Sequence, residues 1–155
     1  MSSFGWSEAE VRAKIRARLG TPPRKVRAAP ALKPDPYPWF TAAIVSTPEK
    51  FEPPVREYRF AEHLGREFAF DYAWPDRLFA VEADGVVHRL MNRWKTGIVK
   101  FNLAHLLEWK VLHFRPGAMR DRDGGPAARV VIEYFRHGGD VAAQTTATLW
   151  PPGKE

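Results

Sequence analysis

The chain reads as an α/β protein, a mixed central β-sheet flanked by helices and preceded by a basic helical arm. Three observations predict this. The segments VREYRF, REFAFDYAW and RLFAVEAD alternate apolar and polar residues and follow one another across turn signals, as an antiparallel meander does. A segment of helical period then precedes a further strand, WKVLHF; a helix between two strands demands a crossover, so the third and fourth strands run parallel. A proline-dense stretch separates this body from a run rich in Arg and Lys, which divides the chain into a basic helix plus linker over 1–38 and a compact domain over 39–155.

Taken in order, Ser7 and Glu10 match a capping box and open the helix WSEAEVRAKIRARLG, with Gly20 as its stop. Val11, Ile15 and Leu19 give it a narrow apolar stripe beside a basic face. Six of the fourteen prolines then fall between Gly20 and Trp39, a density that precludes helix and predicts an extended tether, leaving the arm free to move relative to the body. A short helical or irregular segment runs from Trp39 to Val45. The three strands of the meander follow, with WPDR as the turn between the second and third. The next helix spans about Asn92 to Trp109 and turns Val99, Leu103, Leu106 and Leu107 inward. After WKVLHF, a last helix from about Pro126 to His137 buries Val130, Val131, Tyr134 and Phe135, and the tail TTATLWPPGKE is placed to add an edge strand.

Composition bounds what the protein can be. Its 155 residues suffice for one real core. The absence of cysteine excludes disulfides and thiolate zinc sites. No apolar run approaches the roughly 20 residues that span a bilayer, and the N-terminus lacks a secretory signal, so the expectation is a cytoplasmic protein with no membrane partner. The net charge of +6 is concentrated. Residues 1–33 carry eight Lys or Arg against two Glu, while the rest of the chain balances 16 basic against 16 acidic residues. A basic arm on a neutral body suggests a polyanionic partner, with Arg12, Lys14, Arg16, Arg18, Arg24, Lys25 and Arg27 as its phosphate contacts; a solvated helix face is the plainer reading of the same residues.

The strongest chemical signal lies in the second and third strands. Pairing about WPDR sets Asp71 opposite Glu82 to within one position, and Asp84, two residues on, projects to the same face as Glu82, placed to ligate a second ion or hold a metal-bound water. Phe68, Phe70, Tyr72, Phe79 and Val81 then share the other face, so that one side enters the core and the carboxylate side stays open to ligand. A hard cation such as Mg²⁺, or Mn²⁺ in its place, takes one or two protein carboxylates and completes its shell with water and substrate phosphate. Three carboxylates at short range repel unless something compensates, and a bound metal is the usual compensation; ion pairing with Arg66, Arg77 or Arg89 is the plainer one. A metal held there would favour phosphodiester hydrolysis without a side-chain nucleophile. Lys100, on the following helix, is placed to orient the attacking water, and His88, Arg93 and Lys95, near the same end, compete for that role and join the expected DNA contacts. Glu57, at the start of the first strand, is a possible additional acidic ligand. Trp74, in the turn, is the aromatic expected to be exposed enough to stack on an unpaired base.

These residues resemble a known family. VREYRF, EFAFDYAWPDRLFAVEADGVVHR and KFNLAHLLEWKVLHF are similar to the PD-(D/E)XK nuclease superfamily, in particular to phage-encoded Holliday junction resolvases related to the archaeal enzymes, over about residues 54 to 115. The resemblance implies that Asp71 is the first aspartate of the motif, that Glu82 is its second acidic residue, and that the Ala83 carbonyl completes the metal shell. Asp84 stands where the motif has lysine. Some members carry that lysine on the following helix, which makes Lys100 the candidate replacement, while Gly97 and Val99 stand where the phage relatives have acidic residues. The implied activity is Mg²⁺-dependent cleavage of branched DNA by a homodimer, with paired symmetric incisions at a four-way junction and no small-molecule substrate. A mismatch-specific or nicking endonuclease is the alternative within the enzyme class, and a non-catalytic DNA-binding accessory protein the alternative outside it.

Overall fold

The structure, a computed structural model, describes residues 26–84 and 91–137 together with helical backbone at positions 9, 10, 13 and 17; for 91–96 it describes the backbone alone. The capping box, most of the basic arm, His88 and the C-terminal tail lie outside the described residues.

The body is α/β. Its elements are α1 (Pro38–Val45), β1 (Val55–Tyr58), β2 (Phe70–Trp74), β3 (Phe79–Ala83), α2 (Met91–Leu106), β4 (Lys110–Phe114) and α3 (Gly125–Arg136). The four strands form one mixed sheet in the order β1-β2-β3-β4. The first two pairings are antiparallel and β3 pairs β4 in parallel, as the crossover requires. Between β2 and β3 the WPDR segment forms a single 3₁₀ turn, Pro75–Arg77, closed by Leu78 in the left-handed region at φ 47°. No helix among the described residues is long and apolar enough to cross a membrane.

Two apolar clusters sandwich the sheet. On one face Tyr72, Trp74, Phe79 and Val81 pack against Phe40 and Ile44 of α1 and Ala127, Ala128, Val131 and Phe135 of α3. On the other, Ala73 and Ala80 admit Leu103 and Ala104 of α2, with Phe60 stacked on Phe70 and Trp109 packed against them at a tilt. The small side chains on this second face let the helix approach closely.

Four expectations change here. The carboxylate side of β2 and β3 is open only in part: α2 covers Glu82, while Asp71 is half-buried and Asp84 exposed. Phe68 and Phe70 belong to that covered side and not to the face of Tyr72 and Val81. The strict alternation fails at the sheet edge, where Glu57 takes φ 51° and Tyr58 with its cross-strand partner Phe70 turns into the second cluster. Val99 and Leu106 are exposed on α2; the buried stripe is Leu103 and Ala104 with Leu107 at its margin, shifted by about one position from the periodic pattern. Trp74 is buried and not free to stack on a base, since its ring fills the first cluster and its indole Nε1 donates to the Glu52 carbonyl at 2.8 Å.

The described part of the tether, residues 26–37, forms no helix or strand and is tied down. Arg56 donates to the Lys33 carbonyl at 2.8 Å, and Arg59 to the Arg27 carbonyl at 2.5 Å. Asp35 accepts from the Tyr37 backbone N–H at 2.9 Å, from Thr41 Oγ1 at 3.1 Å and from the Tyr72 hydroxyl at 2.5 Å. Proline-rich chain has few backbone donors of its own, so the body holds it through its carbonyls.

Candidate functional site

The register of β2 and β3, read at Tyr72 with Val81 and carried one step further, sets Asp71 opposite Glu82, but the paired ladder stops before it. The strands part here, and the Asp71 side chain enters the gap: its Oδ2 accepts the Ala83 backbone N–H at 2.8 Å. A carboxylate thus substitutes for the lost backbone acceptor, which fixes Asp71 at the end of the sheet and leaves the ladder open beyond it. Asp71 also lines a small cavity of about 170 Å³ with Glu57, Arg56, Tyr37 and Ala83. Glu57 is exposed, and its left-handed backbone is a costly conformation for a residue with a Cβ.

Glu82 lies deeper, under α2, and is 7% exposed. Its Oε1 accepts from Lys100 Nζ at 2.6 Å, and that ammonium also lies 5.5 Å from the ring centres of Phe70 and Phe101. Burial pushes the Glu82 carboxyl up to about 7; the Lys100 charge opposes the shift, and the negative charges of Asp71 and Asp84 add to it. A desolvated carboxylate beside another carboxylate requires a cation, and here the chain supplies one of its own.

Asp84, near enough for its charge to act on Glu82, is engaged by a histidine. Its Oδ2 lies 2.5 Å from His113 Nδ1, while its backbone N–H donates to the Phe114 carbonyl at 2.8 Å. His113 pairs directly with Glu82 in the parallel register and packs edge-on against Phe101 of α2. Asp71, Glu82 and His113 therefore form a row across β2, β3 and β4 on the side that α2 covers. Sequence reasoning missed His113, because only the register of β4 against β3 reveals that it is a neighbour of Glu82.

The structure thus brings together Asp71, Glu82, Asp84 and Lys100, with Ala83 between the carboxylates and Glu57 lining the same small cavity as Asp71. Among the described residues no group of three His, Cys, Asp or Glu side chains converges tightly enough to enclose a metal ion. Of the basic residues, the Arg27 guanidinium is turned onto Glu67, with Nη2 and Oε2 3.0 Å apart, on an exposed surface. Arg93 and Lys95 fall within α2, but only their backbone is described. Trp39 is 47% exposed and has the Arg122 guanidinium 6.0 Å from its ring centre.

No family model matches the chain, and neither a curated protein nor a solved structure matches it.

Proposed function

We propose that the protein is a Mg²⁺-dependent, structure-selective DNA endonuclease of the PD-(D/E)XK type that resolves four-way junctions as a homodimer. The observation that carries this reading is the pair Asp71 and Glu82: two carboxylates at the end of two parting strands, one of them desolvated and neutralised by a lysine from the next helix. That donor set suits a hard cation, which needs only one or two protein carboxylates and takes water and phosphate oxygen for the rest. Asp71 and Glu82 would hold the ion, with the Ala83 carbonyl as a third oxygen and Glu57 at the far side of the cavity. The ion would supply charge neutralisation at the scissile phosphate and a more acidic water. Lys100, held in place by Glu82 and two aromatic rings, is positioned to contribute positive charge where the phosphate oxygens gain negative charge.

Recognition rests on phosphates and junction shape. The basic residues of the N-terminal arm provide the salt-dependent affinity, and paired incisions on a two-fold substrate call for two sites related by a two-fold axis. The test is substitution: Asp71→Ala and Glu82→Ala should abolish cleavage while salt-dependent junction binding persists. Cleavage retained by either variant would remove that residue from the mechanism.

One observation favours a second reading. Lys100 already closes on Glu82 as a metal ion would, which suits a DNA-binding accessory protein whose site no longer turns over. Junction binding with no Mg²⁺- or Mn²⁺-stimulated cutting would decide for it.

A further inference from the structure

Asp84 stands at the position where the resembled motif has a water-orienting lysine, and the only other lysine brought to the site among the described residues, Lys100, is engaged with Glu82. The position is nevertheless not inert, since it holds a histidine. We propose that His113 orients and deprotonates the attacking water, and that Asp84 is its positioning residue; this rests on the nuclease reading given above.

Three features carry the assignment. His113 is the register partner of Glu82 on the adjacent parallel strand, so its side chain emerges beside that carboxylate on the same face of the sheet. Phe101 of α2 packs edge-on against the imidazole at 4.4 Å between ring centres and limits its rotation. Asp84 Oδ2 sits 2.5 Å from Nδ1 and fixes the tautomer: with the Nδ1 proton donated to the carboxylate, the lone pair is on Nε2. The side chain is about one-third exposed, so water reaches it. A partly exposed imidazole held by a carboxylate on Nδ1 has the layout of a general-base dyad.

In the step itself, the water oxygen forms a bond to phosphorus and one water proton passes to His113 Nε2. The bond from phosphorus to the nucleoside oxygen opposite the attack breaks, and its electron pair leaves on that oxygen, which takes a proton from solvent. The imidazolium then returns its proton to solvent. Nothing is oxidised or reduced, and no co-reactant beyond water is consumed.

The experiment uses the full chain, a labelled four-way junction and Mg²⁺. His113→Ala should lose roughly 10²-fold or more in turnover at saturating junction, with junction affinity unchanged. Added imidazole should restore part of the activity of His113→Ala, but not that of His113→Phe, where the ring fills the space, nor that of His113→Ala/Asp84→Ala, where nothing holds the added base. Asp84→Ala alone should fall to the level of His113→Ala, and the double variant no further. Wild-type turnover in His113→Ala overturns the proposal alone. Loss of turnover without imidazole rescue also overturns it, by reducing His113 to a packing role. A wild-type protein that cuts no DNA overturns the nuclease reading, and this proposal with it.

Discussion

Lys100 Nζ lies 2.6 Å from Glu82 Oε1, and the two side chains are only 16% and 10% exposed. The pair joins α2 to β3 across the carboxylate end of the sheet. Two desolvated charges gain from each other mainly because either alone would be stranded.

Removing one partner should therefore cost more than removing both. Lys100→Met removes the charge that opposes the upward shift of Glu82, so the variant must either bury a lone carboxylate or protonate it, and should destabilise the fold by about 3 kcal/mol at pH 8. At pH 5 the carboxyl takes up a proton and the cost should shrink. Glu82→Gln/Lys100→Met should recover much of the loss. Urea denaturation at the two pH values checks all three, and an equal cost at both would show that the buried charge is not what Lys100 compensates.

The raised Glu82 carboxyl also fixes the sign of a pH dependence. The unfolded chain ionises this group near its ordinary value of 4.5, and the folded protein only near 7, so between these values the folded state binds more protons. This group's contribution to stability is full below about 4.5 and lost as pH rises through about 7. Wild type should thus lose stability relative to Glu82→Gln across that window and run parallel to it above. Saturating Mg²⁺ should flatten the slope, because a cation at Glu82 favours the ionised form. A wild-type curve parallel to that of Glu82→Gln throughout would contradict the shift.

Much of this site was legible in the residues. Antiparallel pairing about WPDR follows from alternation and a turn signal, and it set Asp71 opposite Glu82; the position of Lys100 on the next helix followed from the helical period. What alternation cannot show is which face a helix will cover. Ala73 and Ala80 are small where Trp74 and Phe79 are large, and that difference lets α2 lie over Glu82. Nor does local pattern reveal a strained residue such as Glu57, next to the point where Tyr58 and Phe70 join the second cluster. His113 stayed hidden because its meaning depends on a parallel register set by α2.

The tether offers an independent test. Asp35 gathers the Tyr72 hydroxyl, Thr41 and a backbone N–H, and its carboxylate lies 4.0 Å from Arg56 Nε. Asp35→Ala should cost about 1–3 kcal/mol through the buried Tyr72 hydroxyl left without its acceptor. It should also speed limited proteolysis between residues 26 and 37. Unchanged cleavage kinetics there would mean that the carbonyl contacts of Arg56 and Arg59, with the Arg27–Glu67 pair, hold the segment without Asp35.

Gly125 takes φ 65°, and a Cβ there would lie 2.3 Å from the Ala118 carbonyl oxygen. Backbone cannot yield as a flexible side chain can, so Gly125→Ala should cost about 2 kcal/mol or more. Gly117→Ala, with nothing within 4 Å of its Cβ, serves as the matched control and should be nearly neutral. Thermal unfolding of the two variants distinguishes them.

The central claim, that Asp71 and Glu82 hold a metal used to cut branched DNA, is met most directly by one assay. A labelled immobile four-way junction is incubated with the protein beside linear duplex, flap and nicked controls, with and without Mg²⁺, with Glu82→Ala as the blank. The account predicts symmetric, Mg²⁺-dependent cuts in the junction that are absent from the blank. Binding without cutting under every condition, or cutting that survives in Glu82→Ala, would contradict it.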